Sequence, residues 1–194
     1  MLISISLAGP TNATPVYLND QNISVLLVSP ASLTGGTVDN LIDADSPSAT
    51  DAHTQATHVW VSGDSLELRF DLQGIYNLEI FHFWNYFEES FDVDSIDITF
   101  LDASESSVGT FSATPALGIH PSEAENFSLV GIENVRFVNA LLAGSNDQVD
   151  FQNIGFTGTL IPEPSTALLV GLGLSATALE RRRSARRRPT RRCS

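Results

Sequence analysis

Lysine is absent from this chain, and its ten basic residues are all arginine. Eight of them follow Pro162. The 161 residues before it hold only Arg69 and Arg136 against 21 Asp and Glu, a net charge of −19. So acidic a body is repelled by phosphate, which excludes nucleic acid as a partner. The remaining 33 residues carry eight Arg against Glu163 and Glu180, net +6. That asymmetry points to a membrane or polyanion contact for the basic end alone. Cys193 is the single cysteine, so no disulfide forms within the chain. Gly-x-Ser-x-Gly, the phosphate-binding loop and His-Glu-x-x-His are all missing. Carboxylates are plentiful, but no spacing marks a glycosidase pair. The expectation is a protein without catalysis.

Long helical periodicity is also lacking between residues 10 and 160. Strict alternation is present instead. In Leu66-Glu67-Leu68-Arg69-Phe70-Asp71-Leu72 the residues Leu66, Leu68, Phe70 and Leu72 share one face, and Ile96, Ile98 and Phe100 repeat the pattern. Further strands are predicted at 23–29, 78–84, 108–112, 134–142 and 149–156. Gly, Asn, Asp, Ser and Pro separate them, and long loops are expected within 103–124. Short strands between turn residues predict an all-β fold, a single antiparallel sandwich over 10–160. In the strand 78–84, alternation puts Leu78, Ile80, His82 and Trp84 on one face and Phe81 and Phe83 on the other. Both faces are apolar, which predicts a central strand buried on both sides.

The C-terminal segment 161–194 follows a different rule. Pro162-Glu163-Pro164 removes two backbone donors and holds Glu163 extended. The uncharged run 165–179 follows, then Arg181, Arg182 and Arg183. As a helix, 165–179 spans about 22 Å at about 1.5 Å per residue, short of the roughly 30 Å bilayer core. Snorkelling arginines lengthen the effective span. The expectation is a short C-terminal transmembrane helix with its basic end, 181–192, in the cytoplasm and the acidic body outside. The alternative, a buried core helix, fits poorly with an apolar surface around the whole circumference. These three parts in this order resemble the bacterial PEP-CTERM sorting signal. That resemblance implies recognition and processing by exosortase, a membrane-embedded enzyme. It also implies export to the surface or matrix of a Gram-negative bacterium that makes extracellular polysaccharide. Met1–Gly9 has no basic n-region and only a short apolar stretch, a poor signal peptide. The expectation is a leader preceding Met1; otherwise residues 1–9 are the remnant of one.

The body is similar to the discoidin-like, galactose-binding jelly roll of coagulation-factor type C domains and many carbohydrate-binding modules. The residues that carry this are Ser32-Leu33-Thr34-Gly35-Gly36, Asn40-Leu41-Ile42-Asp43-Ala44-Asp45, Thr50, Trp60, Phe70-Asp71-Leu72-Gln73-Gly74, Trp84-Asn85-Tyr86 and Asn153-Ile154-Gly155-Phe156-Thr157-Gly158. The resemblance implies a jelly-roll-like sandwich that binds glycan, with calcium as an optional structural cofactor. Its calcium set maps onto Asp43, Asp45, Thr50 and Asn153. Carboxylates at alternate loop positions can converge on calcium, but Asp also caps turns, and both readings stand. The chain departs from the pattern twice. No Arg follows Trp84-Asn85, and the closing acid of relatives is here the uncharged Asn153.

Other candidates read more plainly. Asp92, Asp94, Asp97 and Asp102 are expected on a solvated sheet face. His53 and His58 stand five apart in a polar loop, with His82 and His120 distant, and no pair has zinc spacing. Most aromatics are expected in the core, while Tyr86 and Phe87, past a strand end, are the candidate ligand contacts. Together these features predict an exported surface or matrix protein. Its partners would be exosortase, the membrane through the C-terminal helix, and extracellular polysaccharide. The alternatives are a secreted polysaccharide hydrolase and a permanently membrane-anchored protein.

Overall fold

The computed structural model describes residues 13–54 and 57–162. Glu163, Pro164, the expected membrane helix 165–179 and Arg181, Arg182 and Arg183 lie outside the described residues, as do residues 1–12. Pro162, the first residue of the sorting motif, is exposed. One compact unit ends at Ile161. Among the described residues no helix is long and apolar enough to cross a membrane.

The described residues form eight strands: β1 (Val16–Leu18), β2 (Ser24–Ser29), β3 (Val59–Ser62), β4 (Leu66–Asn85), β5 (Ser95–Leu101), β6 (Ser107–Ala113), β7 (Glu125–Ala143) and β8 (Gln148–Leu160). One 3-10 turn covers Val38–Leu41. Every strand pair is antiparallel. The sequence predicted separate strands at 66–72 and 78–84; the chain makes them one strand, β4, of 20 residues. The predicted strand at 134–142 likewise starts earlier, at Glu125.

The length of β4 and β7 creates the architecture. Residues 66–71 of β4 pair with β2 and with the second half of β7, which continues to β5 and β6. Residues 76–85 of β4 pair with the first half of β7 and with β8, whose other edge takes β1 and β3. Between the halves the register slips, at Asp71/Tyr76. Long strands that bend at such irregularities carry one sheet around onto itself. The two halves meet through their rings. Phe70 of the first half lies 5.6 Å from Phe156 of the second, and Phe81 of the second lies 6.0 Å from Phe111 of the first. Edge-to-face aromatic pairs of this kind add about 0.5–1.5 kcal/mol beyond the area they bury.

Leu66, Leu68, Phe70 and Leu72 all enter the core, as their alternation predicts, and so do Ile96, Ile98 and Phe100. Phe81, Phe83 and Trp84 are fully buried, so the second half of β4 is covered on both faces. The assignment of faces there needs correcting. A bulge between Leu78 and Ile80 inserts Glu79. Leu78 therefore joins Phe81 and Phe83 in the core, and leaves Ile80, His82 and Trp84 on the other side. A single extra residue flips the parity of everything after it. Asp92 is a second correction. It sits outside any strand and is only 4 % exposed, so it belongs to no solvated face.

A core closed from both sides predicts uneven mutational costs. Phe156→Ala should cost about 3–5 kcal/mol in equilibrium urea unfolding. Val130→Ser, at a residue 89 % exposed, should stay within about 0.5 kcal/mol. A cost below about 1 kcal/mol for Phe156→Ala would contradict the closed core.

Candidate functional site

The Trp84-Asn85 pair fixes two loops at the end of β4. Trp84 Nε1 donates to Ala49 O, 2.9 Å away, and so holds the loop 43–54. Asn85 is buried and has no spare hydrogen-bonding capacity. Its Oδ1 accepts from the backbone of Tyr86 and Val93, and its Nδ2 donates to Val93 O and Ala116 O. The loop 86–93 is thereby closed on itself, with Tyr86 buried and Phe87 and Phe91 half-buried.

Between these loops and the ends of β3 and β8 lies a cleft of about 300 Å³, walled by the rings of His53, Trp60, Tyr86 and Phe91 and by the carboxylates Glu88 and Asp150. That volume is at the small end of ligand sites. His53 leans on Tyr86 with ring centroids 4.2 Å apart, and Tyr86 on Phe87 at 4.6 Å. Trp60 Nε1 donates to Gln148 Oε1 at 2.9 Å. Tyr86 lines the cleft; Phe87 stands beside it, against His53 and His120. A larger groove of about 340 Å³ lies on the other half of the fold, against Val28, Arg69, Thr99 and Leu141. It has no aromatic wall, and its one cation is already paired with Glu105.

Asp150 is the polar centre of the cleft, at 5 % exposure. His58 Nδ1 lies 3.0 Å and 3.2 Å from its two oxygens, and His53 Nε2 lies 4.0 Å from Oδ2. Burial pushes the Asp150 carboxyl up to about 8, and the charge of Glu88 adds to the shift. Burial also lowers His58, and with the neighbouring His58 and His120 it lowers His53 to about 4. Each of the three groups thus avoids charge at neutral pH, as desolvated groups do. The loop that carries His58 is tightly seated: Gly36 has φ +77°, and a Cβ there would stand 1.8 Å from His58 O. Only glycine fits.

A bulge in β8 builds the rest. Val149 and Phe151 enter the core, and so do Ile154 and Phe156. Gln152 is the extra residue, because Trp84 pairs with Asn153 while Asn85 pairs with Phe151. Gln152 and Asn153 therefore both turn away from the core. The Gln152 amide lies 2.6 Å from His53 Nδ1 and 2.7 Å from Ser122 Oγ.

Asn153 decides the calcium question. Its Oδ1 accepts from Ala44 N–H at 3.0 Å, which fixes the amide orientation. Its Nδ2 then donates to Asp43 Oδ1 at 2.9 Å and Asp51 Oδ2 at 3.3 Å. The structure brings Asp43 and Asn153 together and adds Asp51, which the sequence did not single out. Asp45 and Thr50 are exposed and make no hydrogen bond to this group. A ligand set for calcium must present oxygens inward; here an amide N–H occupies the point where the carboxylates converge. The residues do not fit the ion.

Asp150, Gln152 and Asp51 are the residues that sequence reasoning missed. The one signal was the break in alternation at Gln152-Asn153. Asp92, also near the cleft loops, has its carboxyl pushed up to about 6 by burial and then by Asp94 and Glu89.

No protein-family model matches the chain, and no curated protein matches it in sequence. Solved structures do match in fold. The lectin domain of lectinolysin complexed with Lewis B antigen aligns with TM-score 0.52 and 12 % identity, over 72 % of this chain and 97 % of that one. The family 32 CBM of C. perfringens NanJ, in complex with galactose, gives 0.52 and 7 %, over 74 % and 99 %. An F5/8 type C domain from Bacteroides fragilis gives 0.51 and 14 %, over 78 % and 100 %. The fold is that of these discoidin-like sandwiches, in agreement with the jelly-roll expectation.

Calcium or EDTA should leave the melting temperature of the protein unchanged. Asn153→Asp should lower it, because a third carboxylate replaces the amide, and calcium should then restore it. An equal calcium shift in the unsubstituted protein would contradict the assignment of the amide.

Proposed function

We propose that this chain is an exported glycan-binding protein whose C-terminal segment is a sorting signal. The observation that carries the binding reading is the cleft itself. Rings of Tyr86, Trp60 and Phe91 offer apolar faces, and the exposed carboxylate of Glu88 offers hydrogen-bonding oxygens beside them. Sugars present both kinds of surface, and a cleft of this size suits one or two residues of a chain. The ligands named for the similar folds, Lewis B antigen and galactose, are of the same class. Binding is favoured over hydrolysis. Both oxygens of Asp150 are directed at His58, so the carboxyl is not free to protonate a glycosidic oxygen.

The sorting reading rests on Pro162, Glu163 and Pro164, the apolar run 165–179 and Arg181, Arg182 and Arg183. In that reading the tail inserts briefly, exosortase acts near the motif, and the acidic body remains at the surface or in extracellular polysaccharide.

A glycan array probed with the full chain should give discrete positives. Tyr86→Ala should weaken them by about tenfold or more, about 1.4 kcal/mol, and Phe87→Ala by less, each read on protein whose circular dichroism shows it folded at the assay temperature. A silent array, or full binding by Tyr86→Ala, overturns the glycan reading. Intact mass of the protein recovered from the producing cells tests the sorting reading. Loss of Arg181–Ser194 is expected, and a retained tail contradicts processing.

A further inference from the structure

We propose that His53, His58 and Asp150 form a three-ligand site for zinc, with a fourth position open on the cleft side. The three donor atoms lie within 4.8 Å of one another. His58 Nδ1 stands 3.0 Å and 3.2 Å from the Asp150 oxygens. In a tetrahedral zinc site with bonds of about 2.0 Å, neighbouring donors are about 3.3 Å apart. His53 Nε2 is 4.0 Å from Asp150 Oδ2, so rotation of the His53 ring must bring it closer to reach that spacing. Two imidazoles and one carboxylate favour zinc over calcium, which takes six to eight oxygens.

A divalent ion would also let Asp150 ionise. Asp150 is a buried carboxylate in a chain without lysine. Among the described residues the two arginines are engaged elsewhere, Arg69 with Glu105 at 3.0 Å and Arg136 with Asp71 at 2.6 Å. Among the described residues no arginine is therefore at hand to compensate it once ionised, and a divalent ion would be.

The surroundings can orient the ligands. Zinc on His53 Nε2 places the ring proton on Nδ1, which then needs an acceptor. The Gln152 amide is already 2.6 Å from Nδ1. Turned so that Oε1 accepts that proton, its Nε2 donates to Ser122 Oγ, 2.7 Å away. The Ser122 hydroxyl in turn donates to Asn85 O at 3.4 Å. The exchange of the amide's oxygen and nitrogen itself displaces no heavy atom, and every group in the row keeps a partner; which way such an amide points is set by its network. Gln152 is a positioning residue in this arrangement.

The site shares the cleft with the proposed glycan but is tested without sugar, so the two readings fail separately. Zinc chloride titrated calorimetrically into the chelator-stripped full chain should bind one to one. Cobalt should give the visible absorption of a tetrahedral site. His53→Ala, on a half-buried residue, should weaken zinc at least tenfold and bleach the cobalt spectrum. Gln152→Ala should weaken it about tenfold, at the low end of the effect of outer partners. Cys193→Ser should change nothing, which separates this site from the tail thiol. Should Asp150→Asn fail to fold, His53→Ala alone decides. Absence of one-to-one binding, or binding untouched by His53→Ala, overturns the proposal.

Discussion

The working end of this molecule depends on one extra residue in β8. Strand alternation is strict wherever a sheet buries one face. β8 obeys it up to Phe151 and again from Ile154, but between them it places Gln152 and Asn153 on the same side. That bulge is the reason two polar side chains, 0 % exposed, can face two different loops at once. Gln152 meets His53 and Ser122; Asn153 meets Ala44, Asp43 and Asp51. Bulges redirect side chains next to functional surfaces in this way. The residue before the pair on the outer face, Asp150, then lines the cleft that those loops enclose.

A second constraint is chemical. An acidic body with two arginines and no lysine has few ways to settle a buried carboxylate. Three arrangements of Asp occur among the described residues. The exposed Asp43 and the half-buried Asp51 share the N–H groups of the Asn153 amide. Asp150 faces an imidazole. Asp92 has one oxygen, Oδ1, without a hydrogen-bond partner, and its carboxyl is pushed up to about 6. The ionised form is disfavoured at the last two sites by desolvation. At the first site Asn153 supplies hydrogens at the place where a metal would need oxygens.

Much of the scaffold was legible in the sequence. The alternation of Leu66–Leu72 and Ile96–Phe100 gave the core faces, because a strand with one buried side must repeat every second residue. The apolar character of 78–84 on both sides correctly implied a central strand. What could not be read was parity after a bulge, since nothing in Leu78-Glu79-Ile80 announces an inserted residue. The site was harder. His58 and Asp150 are 92 positions apart, and their meeting follows from the pairing of Trp60 with Asp150 across β3 and β8. Spacing within one segment, the usual guide to a metal site, carries no trace of it.

The central claim is that the loop end built on the β8 bulge is the binding surface and that the rest of the sandwich supports it. A backbone amide-correlation NMR spectrum, recorded with and without a glycan that is positive on the array, tests this most directly. Shifts confined to residues 43–60, 84–92 and 148–153 are predicted. Shifts centred instead on the groove around Val28, Arg69, Thr99 and Leu141 would contradict the account.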